Sequence, residues 1–217
     1  MNRKVYQYKS DNIVVTYDKG RCIHAAECVR GLPQVFDVKK RPWIQPDQAV
    51  ADQVAAVVMR CPTGALHFQR QDGSAGEPAP ETNTIKPAAN GPLYLRGDIE
   101  IYDSAGNLLL QDTRVALCRC GASRDKPFCD GSHSQAGFID EGQLGENKLG
   151  PKEMLQGKLK VVLAENGPLL LDGPIELYTA GQQLGAEGGK GALCRCGGSQ
   201  NKPYCDGSHH HIGFEAE

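Results

Sequence analysis

One sixteen-residue stretch occurs twice in this chain of 217 residues, and it constrains the fold more than any other feature. Residues 118–133 read CRCGASRDKPFCDGSH, and residues 194–209 read CRCGGSQNKPYCDGSH. The offset of 76 residues holds without a gap, since Gly137-Phe138 matches Gly213-Phe214 further along. Two copies are too few for a solenoid. They suit a pseudo-symmetric pair, which is the one-chain version of a two-fold dimer.

Each copy opens with stretches in which apolar and polar residues roughly alternate, as in IEIYD and IELYT, so strands are expected there. The stretch RQDGSAGEPAPETNT has no apolar period and is typical of a linker. The predicted organisation is an N-terminal domain at 1–70, a linker at 71–86, a first repeat at 87–139, a connector at 140–160 and a second repeat at 161–217.

The N-terminal domain has a pattern of its own, which predicts an α+β fold. Strands are expected at 12–17, 35–38, 42–44 and 65–68, and helices at 24–30 and 48–60. Asp47 is a candidate N-cap for the second helix. That helix is expected to carry four valines on one face: Val50, Val54, Val57 and Val58. The order βαββαβ predicts the ferredoxin-like arrangement.

The repeated stretch has the spacing C-x-C-x8-C-x3-H, which assembles three thiolates and one imidazole. Such a set fits either a tetrahedral Zn²⁺ or a [2Fe–2S] cluster with two protein ligands on each iron. Gly121 follows the second cysteine and allows the bend that convergence requires. Asp130 is a candidate cap for a short helix that carries His133. Ser123 can donate a hydrogen bond to a cluster sulfur or to the loop backbone.

The stretch resembles the CDGSH iron–sulfur proteins, the mitoNEET-like group, whose signature C-x-C-x2-[S/T]-x3-P-x-C-D-G-[S/T]-H is met at every fixed position in both copies. The resemblance implies one [2Fe–2S] cluster in each copy, and an intramolecular pseudo-dimer where one chain carries two motifs. The implied ligands are Cys118, Cys120, Cys129 and His133 in the first copy, and Cys194, Cys196, Cys205 and His209 in the second. Ser123, Asp130, Ser199 and Asp206 are expected to support those ligands.

Three further cysteines lie in the N-terminal domain: Cys22, Cys28 and Cys61, the last followed by proline. They resemble the ligands of divergent single-cluster ferredoxin domains, with Ala25 where the middle cysteine of such a run would stand. A [3Fe–4S] cluster is then the natural content, and a [4Fe–4S] cluster would need another ligand, for which His24 is the nearest candidate. The alternative is three buried apolar cysteines without a cluster.

Composition narrows the function classes. The net charge of −2, without a Lys/Arg stripe interleaved with aromatics, argues against nucleic acid as a partner. Uncharged apolar runs stop at about six residues, well short of the roughly 20 that a membrane-spanning helix needs. The start of the chain has no signal-peptide core, so a cytoplasmic monomer is expected, where nine cysteines indicate metal sites rather than disulfides.

The expected function is electron transfer, or storage and transfer of iron–sulfur clusters, with an unknown redox partner or cluster acceptor. An enzyme is not expected, because no nucleophile–base pair and no phosphate-binding glycine loop is recognisable in the sequence. The histidine ligands are expected to make the clusters sensitive to pH, since a bound imidazole can be protonated more easily than a bound thiolate. A structural zinc module is the alternative, and it predicts a colourless protein without a redox signal.

Overall fold

The computed structural model describes residues 4–153 and 156–216, which form two compact units that meet in sequence between Pro78 and Ala79. Residues 1–3, 154, 155 and 217 of the predicted domains and connector lie outside the described residues. In the first unit the elements are β1 (Val5–Lys9), β2 (Ile13–Asp18), α1 (Glu27–Gly31), α2 (Ala51–Val58) and β3 (Leu66–Arg70). In the second they are β4 (Thr84–Pro87), β5 (Leu93–Tyr102), β6 (Leu108–Leu117), α3 (Ser132–Gln135), β7 (Leu159–Leu163), β8 (Leu169–Tyr178) and β9 (Leu184–Leu193). Short 3-10 turns occur at Lys19–Arg21, Pro46–Gln48 and Ser208–His210.

The first unit is built on an antiparallel sheet in the order β1-β2-β3. The central strand β2 buries Ile13 and Val15 completely, and α2 packs Val54 and Val58 into the same core. Of the three N-terminal cysteines, Cys22 lies in the loop between β2 and α1, Cys28 lies in α1, and Cys61 follows α2.

The predicted βαββαβ order is wrong in detail, because the structure shows ββααβ among the described residues. Strand β1 was not predicted, and residues 35–38 and 42–44 contribute only an isolated bridge between Phe36 and Ile44. Both of these side chains are buried, so they fill the core without a ladder. The segments are three or four residues long, and Pro42 cannot donate a ladder hydrogen bond.

The second helix is shorter than expected, and Asp47 does not cap it. Residues Pro46–Gln48 form a separate 3-10 turn, and α2 begins at Ala51 with Val50 as a cap that makes no side-chain hydrogen bond. Asp47 instead accepts a hydrogen bond from the Gln48 side chain, at 3.1 Å. Val50 therefore leaves the predicted apolar face and is 65% exposed.

The second unit contains both repeats, which exchange strand pairing within one mixed sheet. The predicted linker at 71–86 ends too late, because β4 begins at Thr84 and belongs to the first repeat. The first half of β5 pairs antiparallel with β4, while the second half pairs parallel with β7 of the other repeat. The first half of β8 likewise pairs with β7, and its second half pairs with β4. Neither repeat therefore completes its own sheet, and the two share one hydrophobic core.

The exchange takes place at a bulge in each long strand, marked by Gly97 and Gly173 with φ of +153° and +130°. At the first bulge, the buried Asn83 side chain donates to the carbonyl oxygens of Gly157 (2.8 Å) and Pro174 (3.0 Å) and accepts from the Asp98 N–H (3.0 Å). A Cβ at Gly97 would lie 2.1 Å from the Asn83 Oδ1 atom. Glycine is needed there because the amide that links the repeats occupies the space of a side chain.

The connector between the repeats packs against β9. Leu144 and Leu149 contact the shared core, and the N–H of Gly150 donates to the carbonyl oxygen of Lys190 at 2.8 Å. The strand is glycine-rich where the connector crosses it, and a Cβ at Gly188 would lie 2.5 Å from the Leu149 side chain. The missing side chains of β9 make room for the connector.

Candidate metal centres

The first cysteine loop, residues 118–133, folds back on the end of β6. The N–H of Cys118 donates to the carbonyl oxygen of Pro127 (2.8 Å), and the N–H of Cys129 donates to that of Ala116 (2.9 Å). These two bonds place the first and third cysteines side by side. The second cysteine loop, residues 194–209, repeats them between Cys194 and Pro203 and between Cys205 and Ala192.

The metal-binding side chains of the first loop fall into two pairs. The Sγ atoms of Cys118 and Cys120 are 3.6 Å apart, and Cys129 Sγ lies 3.4 Å from His133 Nδ1. Cys118 and Cys129 are buried, while Cys120 and His133 are half-buried. The side of the site that carries Cys120 and His133 therefore faces the solvent more than the side with the two buried thiols.

The second loop has the same pairs with nearly the same spacing. The Sγ atoms of Cys194 and Cys196 are 3.5 Å apart, and Cys205 Sγ lies 3.4 Å from His209 Nδ1. The agreement between loops with different intervening residues indicates that the shared positions of the motif set this geometry.

Backbone N–H groups point at the sulfur atoms. The N–H of Ala122 lies 3.4 Å from Cys120 Sγ, and that of Gly131 lies 3.4 Å from Cys129 Sγ. The Cys120 thiol hydrogen bond lowers the pKa of Cys118 to about 6, whereas burial raises the pKa of Cys129 to about 11. Metal binding therefore requires a proton to leave at least the buried Cys129.

The aspartate after the third cysteine accepts hydrogen bonds from two backbone N–H groups of the loop. Asp130 accepts hydrogen bonds from the N–H groups of Ser132 and Arg124, both at 2.9 Å. Gly131, with φ of +88°, lets the chain turn into α3, which carries His133. The cap residue of α3 is Gly131 and not Asp130, so the expected cap is displaced by one residue, although the carboxylate still accepts the N–H of Ser132. Asp206 does the same for Ser208 and Gln200.

The serine of each loop bonds to the backbone. Ser123 Oγ donates to the carbonyl oxygen of Phe128 at 2.6 Å and accepts from the N–H of Asp125 at 3.1 Å. Ser199 makes the same bonds with Tyr204 and Asn201. Of the two expected roles of Ser123, these contacts correspond to holding the loop backbone, because its hydroxyl donates to a carbonyl.

A buried arginine stands between the first two cysteines of each loop. Arg119 is 2% exposed and donates to the carbonyl oxygens of Gly91 (2.7 Å) and Ala88 and to the Asp140 carboxylate (2.5 Å). It ties the cysteine loop to both ends of its repeat. Arg195 bonds to the matching carbonyl oxygens of Gly167, Ala164 and Ala216.

The two cysteine loops meet at the backbone. Cys120 and Cys196 form an isolated antiparallel bridge, and each is followed by a glycine, Gly121 and Gly197, with φ of +78° and +85°. A Cβ at Gly121 would lie 2.5 Å from the carbonyl oxygen of Cys196. The second ligand of one loop is therefore in contact with the second ligand of the other.

The three N-terminal cysteines line one open cavity of about 340 Å³ in the first unit. The wall consists of Tyr17, Cys22, Ile23, Ala25, Ala26, Glu27, Cys28, Trp43, Cys61, Pro62, Thr63, Ala65 and Leu66. Burial raises the pKa of Cys28 to about 11.

Comparison with known proteins finds matches to both parts of the chain. A family model described as "Iron-binding zinc finger CDGSH type" matches residues 90–134 and 166–210, and one described as "Divergent 4Fe-4S mono-cluster" matches residues 8–71. Two curated relatives, both named "Uncharacterized protein YjdI", from Escherichia coli strain K12 and from Escherichia coli O157:H7, are each 36% identical over 64 residues. That match takes in 30% of this chain and 84% of each relative.

The chain is a tandem CDGSH iron–sulfur protein with an N-terminal divergent 4Fe-4S mono-cluster domain. The family resemblance expected from the sequence is thereby confirmed. No solved structure matches the chain. Among the residues that the structure describes, no helix is long and apolar enough to cross a membrane.

Two features of these CDGSH loops were missed in the sequence. Arg119 and Arg195 occupy the same place between two cysteines, and the retention of a charged residue in both copies was an available signal. The contact between the loops at Cys120 and Cys196 had no such signal, because it depends on how the repeats pack. His24, the expected additional ligand, is exposed and is not among the residues that line the cavity.

Proposed function

We propose that each cysteine loop holds a [2Fe–2S] cluster by three cysteines and one histidine. Cys118 and Cys120 would bind one iron, and Cys129 and His133 the other. A tetrahedral metal with bonds of ~2.3 Å holds two sulfur ligands about 3.7 Å apart. The observed pairs, at 3.6 and 3.4 Å, each have the spacing of two ligands on one metal.

The same observation argues against a single zinc ion in each loop. Four ligands of one tetrahedral ion would all lie within about 4 Å of each other. Within residues 4–153 and 156–216, no group of three or more His, Cys, Asp or Glu side chains is placed to hold a single metal ion. Ligands that are brought together in pairs suit a two-metal cluster better.

The second loop would hold its cluster in the same way, with Cys194 and Cys196 on one iron and Cys205 and His209 on the other. A third cluster, [3Fe–4S] or [4Fe–4S], would be bound by Cys22, Cys28 and Cys61. The cavity supports this part of the proposal, because all three half-buried cysteines line the same open space.

The role we propose is electron transfer, or storage and transfer of clusters, rather than catalysis. A bound iron–sulfur cluster supplies one-electron redox chemistry. Hydrogen bonds of the serine, the aspartate and the buried arginine with the backbone hold the loop that carries the ligands. Cys120 and His133 are half-buried. A partner protein would therefore exchange an electron or a cluster through the side of the site that carries these two ligands.

The histidine ligand should make the bound clusters sensitive to pH. Burial lowers the pKa of His133 and His209, which keeps each imidazole in the neutral form that binds metals. Replacement of both with cysteine should remove the pH dependence of the reduction potential and slow cluster loss below neutral pH. An unchanged pH dependence in the double variant would refute the role given to the histidines.

Single cysteine variants test the ligand assignment. Cys129→Ser and Cys205→Ser should each remove about two irons and two sulfides per chain and one [2Fe–2S] EPR signal after reduction. Cys61→Ser is the matched control, because it should remove only the signal of the N-terminal cluster. Loss of one zinc per loop, without sulfide, would replace the proposal with the structural zinc module.

A further inference from the structure

The N-terminal cavity offers three thiols to a cluster that can have four irons. The inference drawn from this cavity rests on the proposed third cluster. A [4Fe–4S] cluster normally takes four cysteine ligands, and Cys22, Cys28 and Cys61 can supply three. Ala25, whose methyl group cannot bind iron, also lines the cavity. One iron therefore needs a ligand of another kind.

Three oxygen-bearing side chains line the cavity, and two of them are already engaged. Thr63 Oγ1 accepts from the N–H of Ala65 at 3.2 Å and lies 3.5 Å from Cys61 Sγ. The Tyr17 hydroxyl is hydrogen-bonded to Cys22. The third is Glu27, whose carboxylate makes no hydrogen bond or ion pair with any residue in the described part of the chain.

The backbone of this segment is held in an unusual conformation. His24 and Ala26, which flank Ala25, both have left-handed backbone angles, with φ of +59° and +65°. Non-glycine residues in this region cost of order 1–3 kcal/mol each and cluster at binding sites. His24 and Glu27 are both exposed, but Glu27 lines the cavity together with Ala25, and His24 does not.

We infer that Glu27, and not His24, supplies the ligand for the fourth iron of the N-terminal cluster. A carboxylate is a harder donor than a thiolate and binds an iron–sulfur iron less firmly. This iron is therefore the one that the cluster releases and takes back. Oxidation of a [4Fe–4S]²⁺ cluster by one electron, with ferricyanide as the oxidant, releases Fe²⁺ and leaves [3Fe–4S]⁺. One-electron reduction by dithionite followed by uptake of Fe²⁺ restores it.

The test uses the full chain, reconstituted anaerobically with iron and sulfide, oxidised with ferricyanide and then titrated with ⁵⁷Fe²⁺ after reduction. EPR counts the [3Fe–4S] clusters, and Mössbauer spectroscopy detects the added iron. Wild type and His24→Gln should take up one iron each. Glu27→Gln should bind it at least about tenfold more weakly, and Ala25→Cys should resist its removal. Glu27→Asp, which keeps a carboxylate, should retain partial uptake.

The experiment distinguishes a wrong assignment of Glu27 from the absence of the third cluster. Equal uptake by Glu27→Gln and wild type, or loss of uptake in His24→Gln instead, would overturn the inference and leave the third cluster standing. A [3Fe–4S] signal in wild type that never takes up iron would do the same. If the wild-type chain carries no cluster beyond those of the two cysteine loops, both the third cluster and the role of Glu27 are wrong.

Discussion

Replacement of Gly121 with alanine tests the contact between the two cysteine loops. Gly121 has φ of +78°, and a left-handed conformation costs an alanine roughly 1–2 kcal/mol. The new Cβ would also lie 2.5 Å from the carbonyl oxygen of Cys196, where ordinary contact begins at 3.4 Å. The Cys196 backbone would have to move by about 0.9 Å, and such overpacking costs about 1–3 kcal/mol. We therefore expect Gly121→Ala to lower the free energy of unfolding by about 2–5 kcal/mol.

Gly106→Ala is the matched control. Gly106 has a similar φ of +87°, but nothing lies within 4 Å of its Cβ position, so only the conformational cost of roughly 1–2 kcal/mol applies. Guanidinium unfolding of the cluster-loaded protein, followed anaerobically by circular dichroism and visible absorbance, measures both. Because the bridge joins Cys120 to Cys196, Gly121→Ala should also weaken the retention of both CDGSH clusters. If it costs no more than Gly106→Ala and leaves both clusters as stable as in wild type, the contact has no energetic role.

Two further substitutions test charged side chains that stabilise the second unit. Asp140→Ala should destabilise the second unit by about 3–5 kcal/mol, because it leaves the buried Arg119 guanidinium without its carboxylate; Glu141→Ala, at the exposed next residue, should have little effect in the same denaturant assay. Hydrogen bonds from Lys158 and a tyrosine lower the pKa of Glu100, so its ionised form stabilises the fold at pH values above the unfolded pKa of about 4.3. The stability advantage of wild type over Glu100→Gln should be full above that pH and shrink as the pH falls below it; an advantage that stays constant down to pH 3 would contradict this.

The parts of this molecule that could be predicted from sequence are those that depend on local spacing. The repeat and its cysteine pattern identify the candidate ligands, and glycine after the second cysteine indicates the bend there. The family resemblance implied a pseudo-dimer but gave no strand pairing, since the exchange arises from the way β5 and β8 each pair with both short strands. Nothing local in the sequence marks which strand half pairs with which partner.

The predictions that were wrong also failed because they depend on how distant parts of the chain pack together. Phe36 and Ile44 have the composition of strand residues, but they enter the core from a turn-rich segment where no ladder forms. Asp47 is a good capping residue, yet the chain makes a 3-10 turn around it and the helix begins later. The glycines of β9 look like weak points of a strand. They are explained only by the connector side chains that occupy the space beside them.

The most direct test of the proposed clusters is the content of iron, acid-labile sulfide and zinc per chain, with EPR spectra of the protein as isolated and after dithionite reduction, all without oxygen. Two [2Fe–2S] clusters and one N-terminal cluster should give about seven or eight irons, reduced [2Fe–2S] signals from the two CDGSH loops and a separate signal from the N-terminal cluster. About four irons with [2Fe–2S] signals alone would remove the N-terminal cluster. Zinc without sulfide and without an EPR signal would mean that the CDGSH loops bind zinc and not [2Fe–2S] clusters.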